Sequence, residues 1–326
     1  MGNYLVTGAA GFIGARTSEM LIEDGHTVVG VDNLNDAYDP RMKEYRLQRL
    51  QAMPRFEFVQ DDISDRNILD RQSKIVNRKF DAVINLAARA GVRFSVENPW
   101  VFLETNVIGT LNMLELCRQG GIKKFIFAST SSIYGANPPY PTPESASSSE
   151  PLQPYAASKK GAEALCHSYH HLYDIDVSVV RFFTVYGPAG RPDLALFRFV
   201  QWISEGRPVR VNGNGEQSRG FTYIDDIARG TILALKPLGY EIINIGGHEV
   251  ITINDSIKLI EELSGRQANM QYGPPNLADM FTNWADVSKA KRMLGWEPRV
   301  GMREGVKKLI DWYIAERSWA GGILTT

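Results

Sequence analysis

Short apolar runs rich in valine and isoleucine recur through the first half of the chain, and amphipathic segments separate them. The apolar runs lie at 3–7, 27–32, 56–59, 81–86, 123–128 and 176–182, and the amphipathic segments near 12–24, 40–51, 65–77, 98–119 and 154–173. Strands that alternate with helices predict crossover connections. We therefore expect an α/β protein with a parallel sheet covered by helices on both faces.

Beyond residue 183, proline and glycine residues break this pattern into shorter pieces. A further strand is predicted at 242–245, and helices at about 254–264 and 302–317. We expect a sheet domain over 1–182, to which the chain returns around 221–247, and a smaller mixed α/β lobe over 183–326 that binds the substrate.

Composition and charge narrow the function classes. The 326 residues include 36 Lys and Arg and 37 Asp and Glu, a net charge of -1, so no nucleic acid or anionic membrane is expected as a partner. The sequence has no apolar run long enough to span a membrane and no secretory signal pattern. Cys117 and Cys166 match neither a metal spacing nor a disulfide framework, which favours a cytoplasmic location.

A glycine-rich turn follows the first predicted strand. Gly8, Gly11 and Gly14 have the spacing of a turn that presents helix amide groups to a pyrophosphate. The second strand ends at Asp32, 18 residues after Gly14, where a carboxylate binds the adenosine ribose of NAD and repels the phosphate of NADP. An alternative is a plain strand-to-helix turn with Asp32 as a cap. The pattern predicts a Rossmann-type doubly wound sheet that binds NAD.

Candidate catalytic residues occur in the segment Tyr155-Ala156-Ala157-Ser158-Lys159. On a helix, residues four positions apart share a face, so the phenol and the ammonium of Tyr155 and Lys159 point the same way. A nearby positive charge favours the phenolate and makes Tyr155 a usable base. The same spacing also occurs on ordinary helix surfaces. The upstream glycine turn and the hydroxyl-rich segment 129–135 after the fifth strand favour a catalytic role for the pair.

Together these motifs resemble the extended short-chain dehydrogenase/reductase family, in its nucleotide-sugar epimerase and dehydratase group. Further matching segments are Asn85–Ala88, Asn106–Thr110, Arg219–Asp226 and Ala285–Ala290. The resemblance implies that Tyr155, Lys159 and Thr130 are the catalytic residues, with Thr130 assisting Tyr155, and that homodimers form through helices near 98–119 and 154–173. It also implies a set of NAD-binding residues: Gly8, Gly11, Phe12, Ile13, Gly14, Asp32, Asn33, Asp62, Ile63, Leu86, Ala87, Ala88, Asn106, Tyr155 and Lys159.

Two longer segments resemble the UDP-glucuronate 4-epimerases within this family. They are Asp32–Pro40 and Arg181–Asp193. The sequence departs from the usual pattern at Asn85, at Arg89 and at 276–279. The resemblance implies a UDP-sugar substrate that NAD oxidises at C4. The 4-keto sugar then rotates in the site and is reduced on its other face.

A glucuronate substrate passes through a β-keto acid, which loses CO2 unless its carboxylate is held out of alignment with the carbonyl. The candidate ligands of the carboxylate are Ser131, Ser132 and Thr184. Serines also cap strand ends, and the hydroxyl of a buried threonine often forms a hydrogen bond with a backbone group. Arg219, Arg191 and Arg93 are the candidates for the UDP diphosphate.

Other functions remain open from the sequence. The first is a UDP-glucose/UDP-galactose 4-epimerase, followed by a UDP-glucuronate decarboxylase and a non-catalytic NAD-binding protein. Related decarboxylases and dehydratases usually carry an acidic residue where this chain has Ser131-Ser132, which disfavours both reactions. His167, His170 and His171 share a helix face, but they lack the further ligand of a metal site, and we expect none.

Overall fold

The computed structural model describes residues 1–70, 73–275 and 281–325. In chain order, the strands are β1 (Asn3–Thr7), β2 (Thr27–Asp32), β3 (Phe56–Gln60), β4 (Ala82–Asn85), β5 (Lys124–Thr130), β6 (Asp176–Phe182), β7 (Thr184–Tyr186), β8 (Pro208–Asn212), β9 (Ser218–Tyr223), β10 (Tyr240–Ile245), β11 (Glu249–Thr252), β12 (Asn269–Gly273) and β13 (Thr282–Asn283). The α-helices are α1 (Phe12–Glu23), α2 (Arg41–Gln51), α3 (Val92–Glu97), α4 (Trp100–Leu103), α5 (Gly109–Gly120), α6 (Pro154–Tyr173), α7 (Ala195–Ser204), α8 (Ile224–Leu233), α9 (Ile253–Ser264), α10 (Ser288–Leu294), α11 (Met302–Ala315) and α12 (Arg317–Ala320).

The main sheet has seven strands in the order β10-β6-β5-β4-β1-β2-β3. All of its neighbouring strands are parallel. The chain moves outward from β1 to β3 and then returns to β4 on the other side of β1, so the strand order reverses between β1 and β4. In such sheets a crevice opens at this point, beyond the carboxyl ends of the strands. The predicted fold class is confirmed.

The strands form because their side chains are buried on both faces of the sheet. Leu5 and Val83 pack into one apolar cluster, whereas their neighbours Val6 and Ile84 pack into another on the opposite face. Every residue of β5 is buried. A continuous run of apolar residues is typical of a central parallel strand covered by helices on both sides.

The predicted helix at 65–77 is wrong. One turn of 3-10 helix forms at Arg66–Leu69, and Asp70 then adopts extended backbone. The Asp65 side chain accepts a hydrogen bond from Asn67 N, and Ser73 N donates to Asp70 O. Short polar residues of this kind compete with helical hydrogen bonding and favour turns. The predicted helix at 98–119 is α4 and α5, joined by a turn of π-helix at Glu104–Ile108.

The second half of the chain builds smaller sheets against the carboxyl ends of the main sheet. Strand β11 pairs antiparallel with one edge of β9, and β7 and β13 pair parallel with its other edge. Strands β8 and β12 form a separate parallel pair. Between these elements, β10 returns to the main sheet beside β6. As far as the chain is described, none of its helices is long and apolar enough to cross a membrane.

The segment 320–325 docks on the loop between β2 and α2. Leu324 N donates to Asp39 Oδ2 at 3.0 Å, and Arg41 Nη2 donates to Gly322 O at 2.6 Å. Gln201 fixes the same segment from α7, because its amide nitrogen donates to the carbonyl oxygens of Ala320 and Ile323. The loop that follows Asp32 is therefore held by residues far away in the sequence.

Candidate active site

A cleft of about 750 Å³ lies at the carboxyl ends of β1, β2, β4 and β5 and extends under the second lobe. The sequence-predicted residues that line it are Gly8, Gly11, Phe12, Ile13, Gly14, Asp32, Asn33, Asp62, Ile63, Leu86, Ala87, Ala88, Arg93, Thr130, Ser131, Ser132, Tyr155, Lys159, Thr184, Arg191 and Arg219. The fold thus brings the glycine turn, the tyrosine–lysine pair and the hydroxyl-rich segment to one continuous surface.

Asn106, which is predicted to contact the cofactor, lies behind the residues that line the cleft. Its Oδ1 accepts from Arg89 N at 2.9 Å, and its Nδ2 donates to Arg89 O and to Ser158 Oγ. The side chain is fully buried. Because its hydrogen bonds link the loop after β4 to helix α6, Asn106 holds the walls of the cleft together.

The glycine turn leaves no space for side chains. A Cβ atom on Gly14 would lie 2.0 Å from Gly8 O, and one on Gly8 would lie 2.7 Å from Ala87 N. Gly8 also has a φ of +69°, which favours glycine. Gly11 precedes α1, and no side chain caps this helix end. Amide groups at such an end attract a phosphate, and the helix dipole adds to the attraction.

The Asp32 carboxylate is fixed at the end of β2. It accepts hydrogen bonds from Ala10 N at 3.1 Å and Leu34 N at 2.8 Å, and Lys43 Nζ lies 3.2 Å from its Oδ1. Lys43 also donates to Asn35 Oδ1. Sequence reasoning missed Lys43, although it falls on the helix that follows the Asp32–Pro40 segment.

Arg89, noted above as a departure from the family pattern, lies at the same end of the cleft. Its Nη1 donates to Asn35 Oδ1 at 3.0 Å. Asn33 donates to Asp62 Oδ2 at 2.8 Å, which links the ends of β2 and β3. Both acidic and basic side chains, among them Asp32, Asp62, Lys43 and Arg89, therefore line the end of the cleft where an adenosine ribose would lie.

Tyr155 lies in the first turn of α6, which begins at Pro154, a residue that favours helix starts. Burial raises the pKa of Tyr155, and a hydrogen bond from Thr130 and the charge of Arg191 oppose this rise. Lys159, one turn further on, is 2 % exposed. Its Nζ donates to Ala128 O at 2.9 Å, and burial lowers its pKa to about 7.

A buried ion pair connects this helix to the main sheet. Arg181 donates from Nε and Nη2 to the two carboxylate oxygens of Glu163, at 2.9 and 2.8 Å. Ser129 Oγ donates to Glu163 Oε1 at 2.6 Å, and Arg181 Nη1 donates to the Tyr134 hydroxyl. Both charged side chains are 2 % exposed. Glu163 lies one turn beyond Lys159 and fastens α6 to β5 and β6, and no motif indicated it.

The hydroxyl-rich wall of the cleft lies at the end of β5. Ser132 N donates to Thr130 Oγ1 at 3.2 Å, and Ser131 Oγ accepts from Asn283 Nδ2 at 2.9 Å. Thr184 begins β7 on the same side of the cleft. Asn283 was missed because a strand of two residues leaves no hydrophobic pattern to read.

Several arginines line the cleft. Arg191 is paired with Asp193, at 2.6 Å between Nη2 and Oδ2, and Arg219 Nη1 donates to Ser218 O. Further polar residues that line the cleft, and that no motif indicated, are Arg198, Arg210, Asn212 and Gln217. The sequence departure at 276–279 lies outside the described residues.

Arg46 connects the two halves of the cleft. Its Nη1 donates to Ala10 O at 3.2 Å, in the glycine turn. Its Nε donates to Ala189 O at 2.9 Å, and its Nη2 donates to Gly190 O at 3.0 Å, just before Arg191. A single buried guanidinium therefore fixes the cofactor-side turn relative to the loop of Arg191.

The chain belongs to the NAD dependent epimerase/dehydratase family, whose model matches residues 4–246. This confirms the family predicted from the motifs. The chain is 54% identical over 314 residues to the UDP-glucuronate 4-epimerase of Thermodesulfobacterium geofontis, with 96% of each chain covered. It is 38% identical to the probable UDP-glucuronate 4-epimerase of Rhizobium meliloti, with 95% of this chain and 96% of the relative covered.

Solved structures give a consistent result. The UDP-glucuronic acid 4-epimerase of Bacillus cereus, in complex with UDP-glucuronic acid and NAD, superposes with a TM-score of 0.86 at 35% identity, with 96% of this chain and 99% of the other covered. The UDP-glucose 4-epimerase of Thermotoga maritima, solved with UDP-glucose, superposes with a TM-score of 0.89 at 34% identity, with 97% and 99% covered.

Proposed function

We propose that this protein catalyses the NAD-dependent epimerisation of UDP-glucuronate at C4, giving UDP-galacturonate. One observation carries the proposal: a single cleft combines the glycine turn, the Tyr155–Lys159 pair and a wall of hydroxyl groups that includes Ser131. The 54% identity to a UDP-glucuronate 4-epimerase over 96% of the chain supports the choice of substrate.

The residues at the first end of the cleft fit NAD. A Cβ atom on Gly8 or Gly14 would collide with the backbone, so the turn is built for close approach of a phosphate. Asp32 supplies a fixed carboxylate for the two ribose hydroxyls, and such a carboxylate disfavours the extra phosphate of NADP. When bound, NAD accepts a hydride from the sugar C4 and returns it to the opposite face.

Tyr155 takes the proton of the 4-hydroxyl group and later returns it. In the protein without ligands, burial raises the pKa of Tyr155, so its phenol needs help to ionise. Lys159 supplies positive charge from the next turn of α6, and Thr130 hydrogen-bonds to the phenol oxygen. Thr130, the last residue of β5, also orients the substrate hydroxyl toward Tyr155.

The wall formed by Ser131, Ser132 and Thr184 suits a carboxylate at C6 of the sugar. Hydroxyl groups donate hydrogen bonds to a carboxylate without supplying an acid. They hold it out of alignment with the C4 carbonyl during the 4-keto stage, and CO2 is retained. The absence of an acidic side chain at 131 and 132 supports epimerisation over decarboxylation.

Arginines complete the substrate site by neutralising the diphosphate of UDP, because guanidinium groups match phosphate oxygens in geometry. Arg219, Arg191 and Arg93 all line the cleft. The Asp193 carboxylate that pairs with Arg191 sets the orientation of this guanidinium before substrate arrives.

We also propose that the chain forms homodimers through the helical regions 98–119 and 154–173. Large apolar side chains are exposed there: Trp100 by 72 %, Leu103 by 42 % and Leu172 by 64 %. A patch of this kind is typical of a protein interface. The two cysteines are buried free thiols, in keeping with a reducing compartment such as the cytoplasm.

Proton NMR of the purified protein with UDP-glucuronate, followed over time without added NAD, tests the proposed reaction. UDP-galacturonate without CO2 is expected, with NAD retained from purification. A UDP-pentose would identify a decarboxylase and overturn the argument from the hydroxyl wall. If only UDP-glucose were converted, the likeness to the Thermotoga maritima UDP-glucose 4-epimerase would define the activity instead.

A further inference from the structure

Asn283 belongs to the smaller sheets that the second half of the chain forms, and its side chain contacts the hydroxyl wall. It lies on β13, which pairs with β9 so that Asn283 is opposite Arg219. This register carries its side chain to the end of β5, where it meets Ser131, a residue 152 positions earlier in the sequence. Asn283 also lines the cleft.

The hydrogen bond from Asn283 determines what Ser131 offers to a ligand. The Asn283 Nδ2 group can only donate, so Ser131 Oγ accepts, at 2.9 Å. A serine hydroxyl has one hydrogen, and this contact does not use it. Ser131 is 4 % exposed and lines the cleft, so a ligand in the cleft is a natural acceptor for that hydrogen.

Ser132 does not share this arrangement. Its Oγ lies 3.3 Å from the Thr130 hydroxyl, whose single hydrogen the Tyr155 phenol uses. Ser131 therefore presents the fixed donor on this wall. A fixed donor matches the oxygens of a carboxylate, which accepts only, better than it matches a hydroxymethyl group.

We propose that Asn283 is a positioning residue that keeps Ser131 a dedicated donor and thereby sets the preference for a carboxylate at C6. The inference rests on the proposed function and extends it to a residue outside the catalytic motifs. Asn283 acts through Ser131, and its effect is confined to the acidic part of the sugar.

The same contact protects the 4-keto stage. If the C5–C6 bond aligns with the π-system of the C4 carbonyl, that bond breaks and CO2 leaves. The electron pair of that bond then delocalises onto the C4 oxygen as an enolate, and C5 takes a proton from water. Reduction of the resulting 4-ketopentose by the NADH formed in the first step gives a UDP-pentose. Loosening Ser131 therefore increases the fraction of turnovers that end in this product.

Three variants test the proposal in the NAD-loaded enzyme. Asn283→Leu removes the donor at similar volume, and Asn283→Asp replaces it with a negatively charged acceptor. Thr282→Val is the matched control, because Thr282 lies next to Asn283 and bonds to Ser218 instead. The measurements are kcat and KM for UDP-glucuronate, the inhibition constant of UDP-glucose, and the UDP-pentose fraction by NMR.

We expect Asn283→Leu to raise the KM for UDP-glucuronate about tenfold, as for one lost hydrogen bond to a charged group. The inhibition constant of UDP-glucose should change less than about threefold, and UDP-pentose should appear. Asn283→Asp should have a larger effect, because it repels the carboxylate and takes the Ser131 hydrogen. Thr282→Val should match the original protein. Equal weakening for both sugars, or an unchanged KM, would overturn the proposal.

A double variant separates a positioning role from a general structural one. If Asn283 acts through Ser131, adding Asn283→Leu to Ser131→Ala should cost little more than Ser131→Ala alone. Fully additive losses would refute the coupling. If the original protein fails to epimerise UDP-glucuronate, the proposed function fails. If it succeeds and Asn283→Leu behaves like it, only the present inference fails.

Discussion

Replacing Lys159 with methionine should destroy activity and stabilise the fold at the same time. The side chain is 2 % exposed, and Nζ has Ala128 O as its hydrogen-bond acceptor and the Phe127 ring 4.9 Å away. Neither partner is a carboxylate. Burying an ammonium group in such surroundings costs free energy, and a lowered pKa reports that cost.

The cost depends on pH in a direction that follows from the pKa. Burial lowers the pKa of Lys159 from 10.5 to about 7. Between these values the unfolded chain binds more protons than the folded protein, so the stability of the folded state rises with pH. Each unit of pKa difference corresponds to about 1.4 kcal/mol. The buried Lys159 therefore lowers the free energy of unfolding by roughly 4 to 5 kcal/mol below pH 7 and by roughly 2 kcal/mol at pH 9.

Methionine fills the same space without a charge and forfeits only the bond to Ala128, worth about 1 kcal/mol. The net gain in stability should be about 3 kcal/mol larger at pH 6 than at pH 9. For a chain of this size, that corresponds to a difference of roughly 5 °C in the Tm increase.

Calorimetry of nucleotide-free protein at pH 6 and pH 9 measures this difference, and turnover of UDP-glucuronate measures the loss of activity. Lys307→Met is the control, because Lys307 is an exposed lysine on α11 whose side chain is 50% accessible. An equal Tm change at both pH values, or a fall in Tm at pH 6, would refute the account of a buried ammonium.

Other substitutions probe separate parts of the cleft. Tyr155→Phe should abolish turnover while NAD remains bound, as read from the nucleotide absorbance of the purified protein; full activity would remove Tyr155 as the base. Gly14→Ala should lose NAD binding and lower the Tm by several degrees, because its Cβ would lie 2.0 Å from Gly8 O. Glu163→Gln leaves a buried guanidinium uncompensated and should cost about 3 to 5 kcal/mol in urea unfolding. The same change at Glu262, in a surface pair whose side chains are about 60% exposed, should leave the urea midpoint almost unchanged.

The main sheet was predictable because its signal is local. Each strand is a short apolar run buried on both faces, and the glycine turn follows β1 directly. The segment 65–77 shows where this reasoning fails. Side chains such as Asp65 bind nearby backbone and end a helix that the apolar spacing suggested.

The catalytic motif was predictable for a similar reason, since Tyr155 and Lys159 share one helix. The residues that support it were not. Lys43 reaches Asp32 from another element, and Asn283 meets Ser131 only through the pairing of β13 with β9. Long-range register of this kind leaves no periodicity in the sequence. The motif predicts a cofactor contact for Asn106, and it could not indicate the side-chain hydrogen bonds that Asn106 makes with Arg89 and Ser158.

The docking of segment 320–325 on the loop at Asp39 has a consequence for the order of folding. The hydrogen bond between Leu324 and Asp39 joins residues 285 positions apart. Contacts between distant residues form late, because a large part of the chain must be ordered first. The loop leads into Lys43 and the adenosine end of the cleft. We therefore expect refolding protein to recover its circular dichroism before it can capture NAD, so that a half-folded chain does not trap the cofactor.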